Sequence, residues 1–131
     1  MNQNYKFKSL QIVKSQNNKD QKDEDFEKLT VFETGETKTI DFILLGGTRQ
    51  NFPYSHYLTS WLGKESEERV IKIFFATHLV TIYGVCLDKI YNHLLIMSLK
   101  SVRAKNKRYL KTIEDGQLFV TDIKITWKKD T

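Results

Sequence analysis

The chain has one cysteine, Cys86, and one proline, Pro53. A lone cysteine excludes an intramolecular disulfide and a four-cysteine zinc site. Between Val85 and Leu87 it is expected to be a small buried apolar residue. No stretch approaches the ~18 uncharged apolar residues of a transmembrane helix. The N-terminal sequence MNQNYKFKSLQIVKSQNN lacks the apolar core of a signal peptide or anchor. These two absences set the expectation of a cytoplasmic protein with no membrane association. Arginine is also scarce: four of the 21 basic residues are arginine and the rest lysine. The net charge of +5 is therefore carried by side chains that lack the planar fork suited to phosphates and base edges.

Reaction motifs are missing as well. The chain contains no G-x-S-x-G elbow, no phosphate loop, no G-x-G-x-x-G after a strand and no H-E-x-x-H. The three histidines, His56, His78 and His93, stand far apart, and none pairs with another ligand at helical spacing. No catalytic residue, metal site or cofactor is expected. Asp41 and Asp122 fall on predicted strands, but no sequence pattern gives them acid–base work.

What the sequence does contain is a folded body. With 131 residues and an apolar fraction of 40%, the chain is long enough for one domain and its own core. The segment Arg69–Met97 is the densest stretch. RVIKIFFATHLVTIYG has strand propensity throughout, and is expected to be a hairpin with arms at 70–75 and 79–83. CLDKIYNHLLIM (86–97) then shifts to helical spacing, with Leu87, Ile90, Tyr91, Leu94 and Leu95 on one stripe.

Before it, KLTVFE (28–33) and KTIDFILL (38–45) flank a link containing Gly35 and are predicted to form a hairpin. Ile40, Phe42 and Leu44 share one face of the second arm, and Thr39, Asp41 and Ile43 the other. TRQNFPY (48–54) follows as a third strand. SHYLTSWLG (55–63) reads as a short helix over about 55–62. Ser55 and Gly63 serve as caps, with Leu58, Trp61 and Leu62 at i, i+3, i+4 spacing. After the main helix come a short strand at 99–102, a polar stretch, and a final strand at 117–127. The expected fold is a single α+β domain over 28–131. It has a mainly antiparallel sheet of about six or seven strands, the main amphipathic helix at about 86–97 and the short one. Residues 1–27 are polar and mixed in charge, and are read as a flexible or loosely docked arm.

Two features carry the functional expectation. Lys100, Arg103, Lys105, Lys107, Arg108 and Lys111 place six positive charges within twelve residues with no acid among them, and Tyr109 lies inside the run. Residues 69–131 carry twelve basic and five acidic side chains, whereas residues 26–68 carry four and seven. Charge is thus segregated along the chain, and the basic stretch suits an acidic partner or phosphates. The second feature is an aromatic loop of Phe52, Tyr54, His56 and Tyr57 around Pro53, with Trp61 beyond. Such clusters anchor interfaces or plug the end of a core.

These features together point to a small non-catalytic binding or adaptor domain with a protein partner. Nucleic acid is an alternative partner through the basic stretch. A subunit of a homo- or hetero-oligomeric assembly and a small enzyme or ligand-binding protein with a site assembled only in three dimensions are the rival readings.

Overall fold

A computed structural model describes residues 31–129. The strand and arm expectations for residues 1–30 lie outside the described residues. Among the described residues eight strands form two four-stranded sheets. In chain order they are β1 (Phe32–Thr34), β2 (Thr39–Ile43), β3 (Arg49–Pro53), β4 (Tyr57–Glu65), β5 (Glu68–Phe75), β6 (His78–Val85), β7 (Leu99–Arg103) and β8 (Phe119–Trp127). The helix α1 (Asp88–Leu95) lies between β6 and β7, and 3-10 turns occupy Tyr54–His56 and Lys107–Thr112. The described residues therefore form an α+β domain made mostly of strand, with one main helix.

The first sheet has the order β1-β7-β2-β3 and the second β4-β5-β6-β8. The second is built from neighbours in sequence. β5 and β6 form a hairpin around Ala76–Thr77, with Ile71 opposite Ile82 and Ile73 opposite Val80. The first sheet departs from the predicted β1–β2 hairpin. β7 lies between those strands, antiparallel to β1 and parallel to β2. The Gly35 link cannot close a tight turn because its two strands are not neighbours. The β2–β3 turn does close locally: Gly47 donates to the Leu44 carbonyl at 2.9 Å with φ of 95°, a conformation glycine adopts without strain.

The predicted short helix over 55–62 is replaced by a 3-10 turn and the nine-residue strand β4. The pattern Leu58, Trp61, Leu62 matches a helical stripe, but Leu58 is 58% exposed and Trp61 40%. Ser60 and Leu62 instead face Ile73 and Ile71 across the ladder to β5. Pairing along the length of β5 outweighs the weak local helical preference of this stretch.

One hydrophobic core unites both sheets and the helix. Ile40 and Phe42 of β2 and Ile71, Ile73 and Phe75 of β5 are fully buried. Phe52 of β3 stacks on Phe75 with ring centroids 4.4 Å apart, and Phe42 meets Phe75 edge-on. From α1, Ile90 and Leu94 enter this core, whereas Leu95 is 56% exposed and falls outside the buried stripe. Cys86 departs from expectation too. It is exposed, because the turn from β6 into α1 holds it at φ 53°, while its neighbour Leu87 is fully buried.

The chain crosses between the sheets just after β7. Ala104 donates its N–H to the Ile43 carbonyl in the first sheet, and the next residue, Lys105, donates to Val120 in the second, each at 2.9 Å. Among the described residues no helix is long and apolar enough to cross a membrane.

Candidate functional site

The outer face of the first sheet carries a groove of about 780 Å³. Strand alternation creates it. With Ile40 and Phe42 pointing into the core, Thr39, Asp41 and Ile43 line the opposite side. Asp41 is level with Asn51 on β3 and Ser101 on β7, and Ser101 is level with Glu33 on β1. One polar row therefore crosses all four strands. In the next row Ile43 lies between Arg49 and Arg103. Ile43 is only 6% exposed, so it forms a shielded apolar floor between two guanidinium-bearing side chains.

Lys100 reaches the same groove by a different route. The β1–β7 register passes from Glu33–Ser101 to Thr34–Leu99. Lys100 is the extra residue of that bulge, and bulges re-aim the side chain they contain.

The charges in the groove are unequal. Arg49 donates from Nε to Asp41 Oδ2 at 2.8 Å, and its Nη2 contacts the same oxygen. Ser101 Oγ donates weakly to Glu33 Oε1 at 3.4 Å. Among the described residues, neither Lys100 nor Arg103 forms an ion pair. Three cations and two acids line the groove, and the pairing of Arg49 with Asp41 leaves the balance positive.

The predicted basic stretch is divided by the fold. Lys100 and Arg103 are in the groove. Lys105 is buried, 6% exposed, because its backbone is bonded across the gap between the sheets. Lys107 borders a separate hollow of about 420 Å³ on the second sheet, beside Glu68, Tyr83 and Asp122. Arg108 and Lys111 are exposed on the second 3-10 turn. There Asn106 Oδ1 accepts from the Arg108 N–H at 2.9 Å, and the Arg108 guanidinium lies 5.0 Å from the Tyr109 ring centroid.

The aromatic loop also separates. Phe52 and Tyr54 are buried and belong to the core, not to a contact surface. The Tyr54 hydroxyl donates to the Leu99 carbonyl at 2.8 Å and accepts from the Leu99 N–H at 3.0 Å. Burial pushes its pKa up to about 12, against the lowering effect of the Leu99 backbone bond. Tyr57 is half-buried, packs edge-on to Phe75, and shares a 2.7 Å hydrogen bond with Ser60. His56 is exposed. Trp61 lies on the outer face of β4, its ring over Gly63.

The other histidines are occupied structurally. His78 meets Phe52 edge-on and packs tilted against Trp127, with ring centroids 5.1 and 4.1 Å apart. His93 Nδ1 shares a hydrogen bond with Ser98 Oγ at 2.9 Å. Among the described residues no three His, Cys, Asp or Glu side chains gather to hold a metal ion.

Sequence reasoning located Lys100 and Arg103 but missed Arg49, Asn51 and Ser101 as their neighbours. The alternation of β2 already placed Asp41 away from the core. The missing information was that β7 pairs with β2. The fold and groove define the class: a two-sheet α+β domain with a polar, positively weighted sheet face. In comparisons with known proteins, the chain matches no family model, no curated protein and no solved structure.

Proposed function

We propose that this chain is a small non-catalytic binding or adaptor domain that takes a negatively charged segment of a partner protein across the outer face of its first sheet. The observation that supports this reading most directly is the groove itself. Lys100 and Arg103 project there without an acid paired to them, beside Arg49, from paired strands. Strands hold the backbone of these residues in a fixed register, so the freedom lost on binding is confined to the side chains. Unpaired cations at a rim also steer an oppositely charged partner. The cytoplasmic setting is part of the same proposal. It is supported by the exposed free thiol of Cys86, which a reducing compartment keeps unpaired.

Fluorescence anisotropy with a labelled Glu-containing peptide, and with single-stranded DNA and RNA, at two salt concentrations tests the reading. The peptide is expected to bind, with affinity falling as salt rises. Arg103→Glu should weaken binding about tenfold or more, and Lys128→Glu should change it little. Peptide binding that survives Arg103→Glu, or binding of the nucleic acids alone, overturns it.

A second reading has its own observation. Among the described residues β4 is an edge strand of nine residues with Leu58 and Trp61 exposed, and long edges of this kind invite pairing with another chain. Sedimentation at rising concentration decides whether the domain assembles. A species that remains monomeric removes self-assembly.

A further inference from the structure

We infer that the groove is selective for a phosphorylated side chain, a phosphate monoester on an extended segment, over a run of carboxylates. This rests on the binding reading above and specifies its ligand. Arg49 and Arg103 flank Ile43 on the strands either side of β2. Two strand spacings separate their backbones by roughly 10 Å, a span that two arginine side chains reach across from opposite sides. Arg49 is held by Asp41 through Nε and Nη2, which leaves Nη1 to donate elsewhere. Asp41 thus acts as a positioning residue for that guanidinium. Arg103 brings a second fork, and Lys100 and the Ser101 hydroxyl add donors on the same face.

A phosphate monoester has three acceptor oxygens and close to two negative charges at neutral pH. It can accept from both guanidinium groups at once, whereas a carboxylate offers two oxygens in one plane. Arginine forks match phosphate geometry better than single ammonium groups do. The acids of the groove sharpen the choice. Glu33 and Asp41 stand in the row next to the arginines, so a string of carboxylates laid across the strands would meet them. One concentrated double charge over Ile43 avoids that repulsion. The site is an open sheet face, and the many enclosing contacts that hold a small molecule are replaced by a surface for a passing chain.

The test uses the full chain and three fluorescent degenerate peptide sets with a central phosphoserine, glutamate or serine. Inorganic phosphate is the soluble competitor. The phosphoserine set is expected to bind at least tenfold tighter than the glutamate set. Arg103→Gln and Arg49→Gln should each remove most of that difference, with circular dichroism confirming that the variants fold. Lys128→Gln should retain it. Equal binding of phosphoserine and glutamate sets, both lost in Arg103→Gln, overturns phosphate selectivity and leaves the binding reading standing. No binding of any set overturns both. Inorganic phosphate that binds as tightly as the phosphoserine set shows a free-anion site, and overturns the assignment to a phosphorylated segment.

Discussion

Replacing Gly84 with alanine is expected to loosen the second sheet at a defined point. Gly84 is opposite Val120 where the β6–β8 register shifts. A Cβ at this position would lie 2.1 Å from the Phe119 carbonyl oxygen, 3.0 Å from Val120 Cα and 3.0 Å from Leu87 Cδ2. Ordinary non-bonded carbon contacts are about 3.5 Å, so β8 must draw back by more than an ångström. The nearest atom is backbone, which no rotamer change can move aside. The affected pairs are Gly84–Val120 and Val85–Phe119, next to the fully buried Leu87. Overpacking of this kind costs about 3 kcal/mol, the upper end of the usual range, or a fall of very roughly 10–20 °C in melting temperature. Urea unfolding followed by the fluorescence of Trp61 and Trp127 measures it. Gly46→Ala is the matched control, because Gly46 has open space around it and no left-handed backbone. That change should be neutral or stabilise by up to about 1 kcal/mol. A Gly84→Ala protein within about 0.5 kcal/mol of the parent would refute the argument that β8 approaches β6 too closely for a side chain.

Tyr54→Phe should cost about 2 kcal/mol by leaving the Leu99 N–H and carbonyl without the hydroxyl that serves both, read from the same urea curves. The folded Tyr54 pKa lies above its ordinary 10.0 at about 12, so its hydroxyl favours the fold fully below pH 10 and that contribution is lost as pH rises toward 12; Tyr54→Phe should flatten this part of the stability–pH profile. The Glu65 carboxyl, held below the usual carboxylate range chiefly by its hydrogen bond from Lys72, should titrate in carbon-detected NMR at lower pH than a glutamate in an unstructured peptide, and Lys72→Ala should move it upward. Cys86 should react with a maleimide in the native state without prior unfolding, and protection until unfolding would contradict its exposed placement.

Much of this architecture was legible from periodicity. The hairpin expected at 70–75 and 79–83 is present at Glu68–Phe75 and His78–Val85, and the helix expected at 86–97 occupies Asp88–Leu95. Both are local units whose side-chain repeat is set within one element. What escaped depends on distant partners. Residues 57–65 carry the helical stripe Leu58, Trp61 and Leu62 and no regular alternation of apolar and polar residues, and only pairing with β5 makes them a strand. Lys105 is charged and sits in a polar stretch, yet its position is fixed by a backbone bond to Val120 fifteen residues later. The groove was half visible for the same reason. Lys100 and Arg103 could be found by charge, but their closeness to Arg49 arises from parallel pairing between β7 and β2, which are separated by more than fifty residues.

That parallel pairing also dictates an order of assembly. β2 and β3 can zip together as soon as their turn closes, and β4 to β6 can stack without waiting for the rest. Among the described strands β1 comes first, yet it has no ladder to join until β7 arrives. During synthesis β1 must therefore idle while some seventy residues emerge behind it, and such long closures are the slow steps of folding. β1 can lock only onto the strand that carries Lys100 and Arg103, so the groove can exist only once the first sheet is complete.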